Sequence, residues 1–202
     1  MGLQKAIAER RVDELFQIMK SNGGQEYLDY DLSLFEHCLL IANLAATSVY
    51  TPDVHSKDDM IVACLLHDIG RFPRVAATIR QLFPKDINTW EHARIGLEYL
   101  RHLGFRNAVC TLVSSHMEAK RYLAATDRRY LRKLSDESRD ELIRLQGGPM
   151  SEEEVDQFEA SSDFRDRIQI RRWNDAATSF DAVDKTSKLE CYREKVIAAM
   201  IG

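Results

Sequence analysis

Apolar residues recur along this chain at the three- and four-residue intervals of a helix face almost throughout. Leu3, Ile7, Leu15, Phe16 and Met19 outline a first amphipathic helix, stopped by Asn22-Gly23-Gly24. Leu34, Cys38, Ile41 and Ala45 outline a second, ended before Pro52. A third runs from Lys57 to His67, with Gly70 placed to terminate it. Asn88 and Glu91 read as a capping-box-like pair that opens a fourth, which Gly104 ends. A fifth spans Arg106 to Tyr122, and Ser135 to Leu145 forms another before Gly147-Gly148-Pro149. Ser151 with Glu154 makes a second capping box, for a helix reaching Ala160; two more follow at Asp163–Ala177 and Lys185–Met200. Alternating strand patterns longer than a few residues, repeats and linkers are missing, so the pattern predicts one all-α domain over residues 1–202.

Composition narrows the class. With 202 residues the chain can bury a substantial core unaided. Its 28 basic against 32 acidic residues give a net charge of −4, which is no footprint for nucleic acid or an anionic membrane surface. Apolar residues make up 45% and charged residues 30%, a globular balance. No apolar run approaches the ~18–20 residues of a membrane span, and the charged start MGLQKAIAERR lacks a secretory apolar segment. Ala6 stands where a myristoylation signal after Gly2 requires Ser or Thr. Cys38, Cys64, Cys110 and Cys191 form no CxxC pair and fall inside apolar helical patterns, as buried free thiols do. A cytoplasmic protein with a small-molecule partner is the expectation.

The histidines carry the chemistry. His37, His67, His92 and His116 lie on successive predicted helices at intervals of roughly 24 to 30 residues, which lets one residue from each converge at the centre of a bundle. His67-Asp68 is the informative pair. Neighbours on a regular helix point about 100° apart, but at a helix end before Gly70 both can turn inward, the carboxylate then bridging two metals. A mixed imidazole and carboxylate set suits iron, manganese, zinc or nickel. His55, in a polar loop, and His102, near a helix C-terminus, have no place in the pattern and are expected in solvent.

His37, His67-Asp68 and a distant Asp175 resemble the pattern of the HD-domain superfamily, whose default meaning is a metal-dependent phosphohydrolase. Four further segments resemble a narrower branch, the dinuclear-iron HD oxygenases that cleave 1-hydroxyphosphonates and are related to myo-inositol oxygenase. These are YLDYDLSLFEH with Tyr27 ahead of His37, HMEAKRYL with His116 and Lys120, LQGGPM from Leu145 to Met150, and RRWNDAA with Arg172 and Asp175. The resemblance implies an HD-domain helical bundle in which His37, His67, Asp68 and Asp175 hold one iron. Asp68 bridges to a second iron, which His92 and His116 complete. It further implies a mixed Fe(II)/Fe(III) pair, O2 as co-substrate, and Tyr27 as a phenol that holds an open iron position until substrate displaces it. Asp175 could instead cap the end of its helix or pair with Arg171 or Arg172.

His116 and Lys120 share a helix face, and a lysine beside a metal ligand is badly placed unless an anion lies between them. Arg71 after the HD turn and Arg172 one turn before Asp175 add two more cations. With the Ser138 hydroxyl they describe a phosphonate site. Where the aminophosphonate oxygenases carry Tyr-x-x-Glu for a primary ammonium, this chain has Tyr27-Leu28-Asp29-Tyr30. An aromatic face suits a quaternary ammonium, so Tyr30 points to 1-hydroxy-2-(trimethylammonio)ethylphosphonate, cleaved to phosphate and glycine betaine. The alternatives are Tyr30 as core packing, with Asp29 or Asp31 serving an amino substrate that yields glycine, or a metal-dependent hydrolase of the wider superfamily.

Overall fold

A computed structural model describes residues 2–24, 26–27, 30–84, 91–177 and 187–201, without the side chains of residues 26–31. The described chain is helical apart from one short hairpin. Helix α1 (Gly2–Asn22) buries Val12, Leu15, Phe16 and Met19. Strands β1 (Glu26–Tyr27) and β2 (Tyr30–Ser33) then pair antiparallel, Glu26 opposite Ser33 and Tyr27 opposite Tyr30. This hairpin is too short to show a period-two pattern, which is why the sequence reads as wholly helical there. Ser33 caps α2 (Leu34–Thr47) in a reciprocal capping box with Glu36.

The bundle centre is built from α2, α3 (Lys57–Leu66), α5 (His92–Leu103), α6 (Asn107–Thr126) and α10 (Phe164–Ala176), which pack on one another. Around them lie α4 (Pro73–Leu82), α7 (Arg128–Lys133), α8 (Asp136–Arg144), α9 (Glu152–Glu159) and α11 (Arg193–Ile201), the last against α1 and α3. One continuous apolar core runs from α1 through α11. A smaller cluster of Ala119, Phe158 and Ile168 seats α9. The loop between α2 and α3 is fixed by the fully buried Asp166. Its carboxylate accepts from the Tyr50 hydroxyl at 2.9 Å and from the backbone N–H groups of Asp53, Val54 and His55.

Several details differ from the sequence reading. Helices α4 and α7 were not anticipated, although Pro73 at the first helical position and Val75 with Ile79 on one face signal α4. Glu91 stands at the N-cap position of α5 without a side-chain capping bond, and Asn88 lies outside the described residues. The last helix begins at Arg193, after a 3-10 turn over Leu189–Tyr192; Lys185, where the sequence reading starts it, lies outside the described residues. Cys38, Cys64 and Cys110 are buried free thiols as expected, but Cys191 is exposed on that turn. His55 is not solvated: its Nε2 stands 3.3 Å from Asp163. Gly70 sits in a 3-10 turn (Ile69–Arg71), and its role is closeness: a Cβ there would meet the His92 carbonyl oxygen at 1.9 Å. Left-handed termination belongs to Gly104, at φ 85°, as the sequence suggests.

Candidate metal centre

Three of the predicted ligands, His37, His92 and His116, reach the bundle centre from α2, α5 and α6, and the chain just beyond the end of α3 supplies two more, His67 and Asp68. His67 is the last residue of that helix's backbone path, and Asp68 leaves it at φ −103°, ψ 17°, so both side chains turn inward. Donor atoms of His37, His67 and Asp68 lie within 4.8 Å of one another, as do those of Asp68, His92 and His116. Asp68 is common to both groups. Its Oδ1 is 3.1 Å from His92 Nε2 and 3.7 Å from His116 Nε2, while its Oδ2 is 3.3 Å from His67 Nε2. The two imidazoles of the second group are 3.2 Å apart, Nε2 to Nε2.

Protonation follows from the neighbours. Backbone carbonyls of Ala177, Cys64 and Val113 accept from Nδ1 of His37, His67 and His116 at 3.0, 2.9 and 2.7 Å. A carbonyl only accepts, so each neutral ring carries its proton on Nδ1 and turns the Nε2 lone pair toward the centre. Burial, with the neighbouring His67, pushes His37 down to about 3 and His116 well below the ordinary imidazole range. Burial and Arg71 also lower His92. Burial alone would raise the Asp68 carboxyl, but His67, Arg71 and His92 hold it well below the usual carboxylate range. The result is neutral rings at His37, His92 and His116 beside an ionised carboxylate. His67 Nε2 and both Asp68 oxygens are buried close together without a hydrogen-bond partner of good geometry. Such orphaned atoms are costly unless a cation occupies their midst, and the donor set fits a first-row transition metal.

Above this floor lies a cavity of about 380 Å³. Asp68, Arg71, His92, His116, Lys120, Ser138, Arg172 and Asp175 line it, so eight of the residues singled out in the sequence border one space. Lys120 is 2% exposed and donates to the Ser138 carbonyl at 2.7 Å; burial and Arg171 lower its ammonium to about 8. The Arg71 guanidinium makes a parallel pair with Glu141 and also approaches Asp68 Oδ1, Nε at 3.3 Å. Asp175 stands apart from both donor groups. Its carboxylate takes Arg171 and lies 3.4 Å from the Tyr130 hydroxyl. Asn174 instead faces His37, its Oδ1 3.0 Å from Nε2. The side chains of Tyr27, Tyr30, Asp29 and Asp31 lie outside the described residues.

Glu141, Tyr130, Lys133 and Asn174 also line the cavity and were not singled out by the sequence, and Arg171, named there only as an alternative partner of Asp175, lines it as that partner. Helical spacing from known neighbours would have found Glu141, one turn after Ser138. The Gly147-Gly148 run works at a distance from the cavity floor: the Gly148 carbonyl accepts from Arg121 Nε at 2.9 Å and secures α6. Among the described residues no helix is long and apolar enough to cross a membrane.

Comparison with known proteins gives the family. The HD domain matches residues 34–160. The chain is 34% identical over 177 residues to the hydroxymethylphosphonate dioxygenase of Gimesia maris, covering 88% of this chain and 82% of that protein. It is 33% identical over 164 residues to the glycine-betaine-forming 1-hydroxy-2-(trimethylamino)ethyl phosphonate dioxygenase of Leisingera caerulea, covering 81% and 78%. An uncharacterised protein of Acanthamoeba polyphaga mimivirus is 27% identical over 188 residues, covering 93% and 81%.

Proposed function

Because the chain belongs to the HD-domain family of phosphonate oxygenases, we propose that it cleaves the carbon–phosphorus bond of a 1-hydroxyphosphonate with O2, releasing phosphate and a carboxylic acid. The balance closes without a further reductant: one hydroxyphosphonate and one O2 contain the atoms of one carboxylic acid and one phosphoric acid. The observation that carries the reading is the shared Asp68, with its orphaned oxygens between two histidine groups, directly beneath a cavity bordered by Lys120, Arg71 and Arg172.

In this reading His37, His67 and Asp68 hold one iron ion and Asp68, His92 and His116 the other. Bound iron supplies the redox chemistry that lets O2 react. The chain's own part is positioning. Lys120 spends one of its three N–H donors on the Ser138 carbonyl, which fixes the ammonium over the floor and leaves donors for a phosphonate oxygen. Arg71 offers a planar fork beside Asp68, and Arg172 a cation at the cavity edge. Ser138 would present its hydroxyl from α8, and the family resemblance would give Tyr27, whose side chain lies outside the described residues, the role of a phenol that yields to substrate. The half-enclosed space keeps the anion out of bulk water, where each of these contacts is weaker.

Within the class, Tyr30 favours the (R)-1-hydroxy-2-(trimethylammonio)ethyl compound, with glycine betaine as product. A second reading, hydroxymethylphosphonate, rests on the cavity lining: Glu141, Asp175 and Asp68 already face Arg71, Arg171 and the histidines, so the lining is rich in cations. The deciding experiment pairs oxygen uptake with phosphate release. Iron-loaded protein is given the trimethylammonio, amino and unsubstituted hydroxyphosphonates separately, in air and without oxygen, beside a phosphoester. The highest kcat/KM with the trimethylammonio compound supports the first reading, and with hydroxymethylphosphonate the second. Oxygen-independent cleavage of the ester alone would place the chain among the hydrolases.

A further inference from the structure

We propose that Asn174, not the neighbouring Asp175, supplies the remaining protein ligand of the first metal site, through its carboxamide oxygen. The inference rests on the dinuclear reading above and concerns which residue of α10 completes it.

Consecutive residues of a helix point about 100° apart, so α10 can aim only one of these two side chains at His37. It aims Asn174, which is buried, and Asp175 turns to Arg171 and Tyr130 on the cavity side. Asn174 Oδ1 stands 3.0 Å from His37 Nε2, and the sense of the contact depends on which ring nitrogen carries the proton. His37 donates Nδ1–H to the Ala177 carbonyl, so its Nε2 carries a lone pair, and that lone pair faces the Asn174 oxygen at 3.0 Å. Two acceptors at that distance repel unless a cation lies between or beside them. Two ligands at right angles on one ion, each with a bond of about 2.1 Å, stand about 3.0 Å apart. The same spacing recurs at the other edges of the centre, 3.1 Å for His92 to Asp68 and 3.3 Å for His67 to Asp68. His37 to Asn174 therefore reads as another edge of the same kind.

The chemical consequence is charge. A carboxamide donates an oxygen without a formal charge, so the first site holds its ion with one carboxylate fewer than a set including Asp175. Its metal is retained less firmly than a carboxylate would retain it. Asp175 then becomes a cavity residue that orients the Arg171 guanidinium.

Metal counting tests this without using turnover. Purified full-length protein and the variants Asn174→Ala, Asn174→Asp and Asp175→Asn are loaded anaerobically with Fe(II), desalted, and titrated with a chelator while iron per chain is measured. Circular dichroism verifies that each is folded. Expected are two ions in the wild type and in Asp175→Asn with equal chelator resistance, and loss of one ion in Asn174→Ala. Asn174→Asp should resist at least about ten times more chelator, the scale on which even supporting residues of metal sites act. If the amide is turned so that its NH2 donates to His37, Asn174→Asp leaves resistance unchanged or lowers it, and the proposal falls. Loss of an ion in Asp175→Asn with two retained in Asn174→Ala overturns it equally. A wild type that takes up no iron overturns the dinuclear reading along with it, whereas two ions in every variant overturn this inference alone.

Discussion

Arg71 and Glu141 meet in a two-pronged ion pair, Nη1 to Oε1 and Nη2 to Oε2 each 3.0 Å, that ties the turn after Asp68 to helix α8 across the cavity. Both side chains are about one-fifth exposed, 20% and 19%, so solvent screens the pair only in part. Removing one partner leaves the other charge stranded near the floor. Arg71→Met should lower the unfolding free energy by about 2–3 kcal/mol, somewhat less than a fully buried pair, and Glu141→Gln by less, because an amide still accepts one N–H. Urea denaturation of the two variants checks this; equal stability of Arg71→Met and wild type would show that the pair is not formed in solution.

His92 and His116 should be indispensable to one metal only. Replacing either by Ala removes a donor from the second group while leaving His37, His67 and Asp68 untouched. Iron content is expected to fall by one ion per chain and turnover to fall at least a hundredfold. Unimpaired turnover in either variant would argue against two cooperating metals.

Alkaline pH should weaken substrate capture through Lys120. Its ammonium, lowered to about 8 by burial and Arg171, loses its charge above that pH in the free enzyme. The pH profile of kcat/KM reports free-enzyme ionisations, so it should decline about tenfold per unit above pH 8. Lys120→Arg keeps its charge to far higher pH, and the alkaline limb should move upward with it. An unshifted limb would assign the decline to another group.

The metal-free protein should lose stability on the acid side. His37, His92 and His116 all have depressed values in the folded state, His37 at about 3. Between the unfolded value near 6.5 and these folded values, the unfolded chain binds more protons, so stability falls as pH falls, by up to about 1.4 kcal/mol per unit for each group. Asp68, depressed as well, adds a loss in the same direction below its unfolded value. Denaturation midpoints measured from pH 7 to pH 4.5 should decrease steadily; a flat series would mean the histidines are protonated when folded.

Gly70→Ala should be among the most damaging single changes. The added methyl would meet the His92 carbonyl at 1.9 Å and the Gly96 backbone nitrogen at 2.7 Å, so α5 must move outward and carry His92 with it. Overpacking of this kind costs about 1–3 kcal/mol or more. The expected result is a lower Tm together with loss of the ion that His92 holds, and wild-type Tm with full iron would show that the helices can separate freely.

The sequence by itself determined most of the helices and five donors that meet at the centre. Regular apolar spacing located α1, α2 and α6, and Ser151 with Glu154 marked the start of α9, because these signals depend only on residues within a turn or two of each other. His37, His67, Asp68, His92 and His116 were legible for a related reason: one donor per helix at similar intervals constrains where a bundle can bring them together. Tertiary structure alone decided relationships between distant segments. Which of Asn174 and Asp175 looks toward His37 depends on the rotation of α10 against α2, a packing outcome that no local pattern encodes. That Gly70 serves a close helix approach, that Glu141 holds Arg71, and that His55 pairs with Asp163 follow from neighbours 22 or more residues away in the chain, whose proximity comes from burial of the shared core.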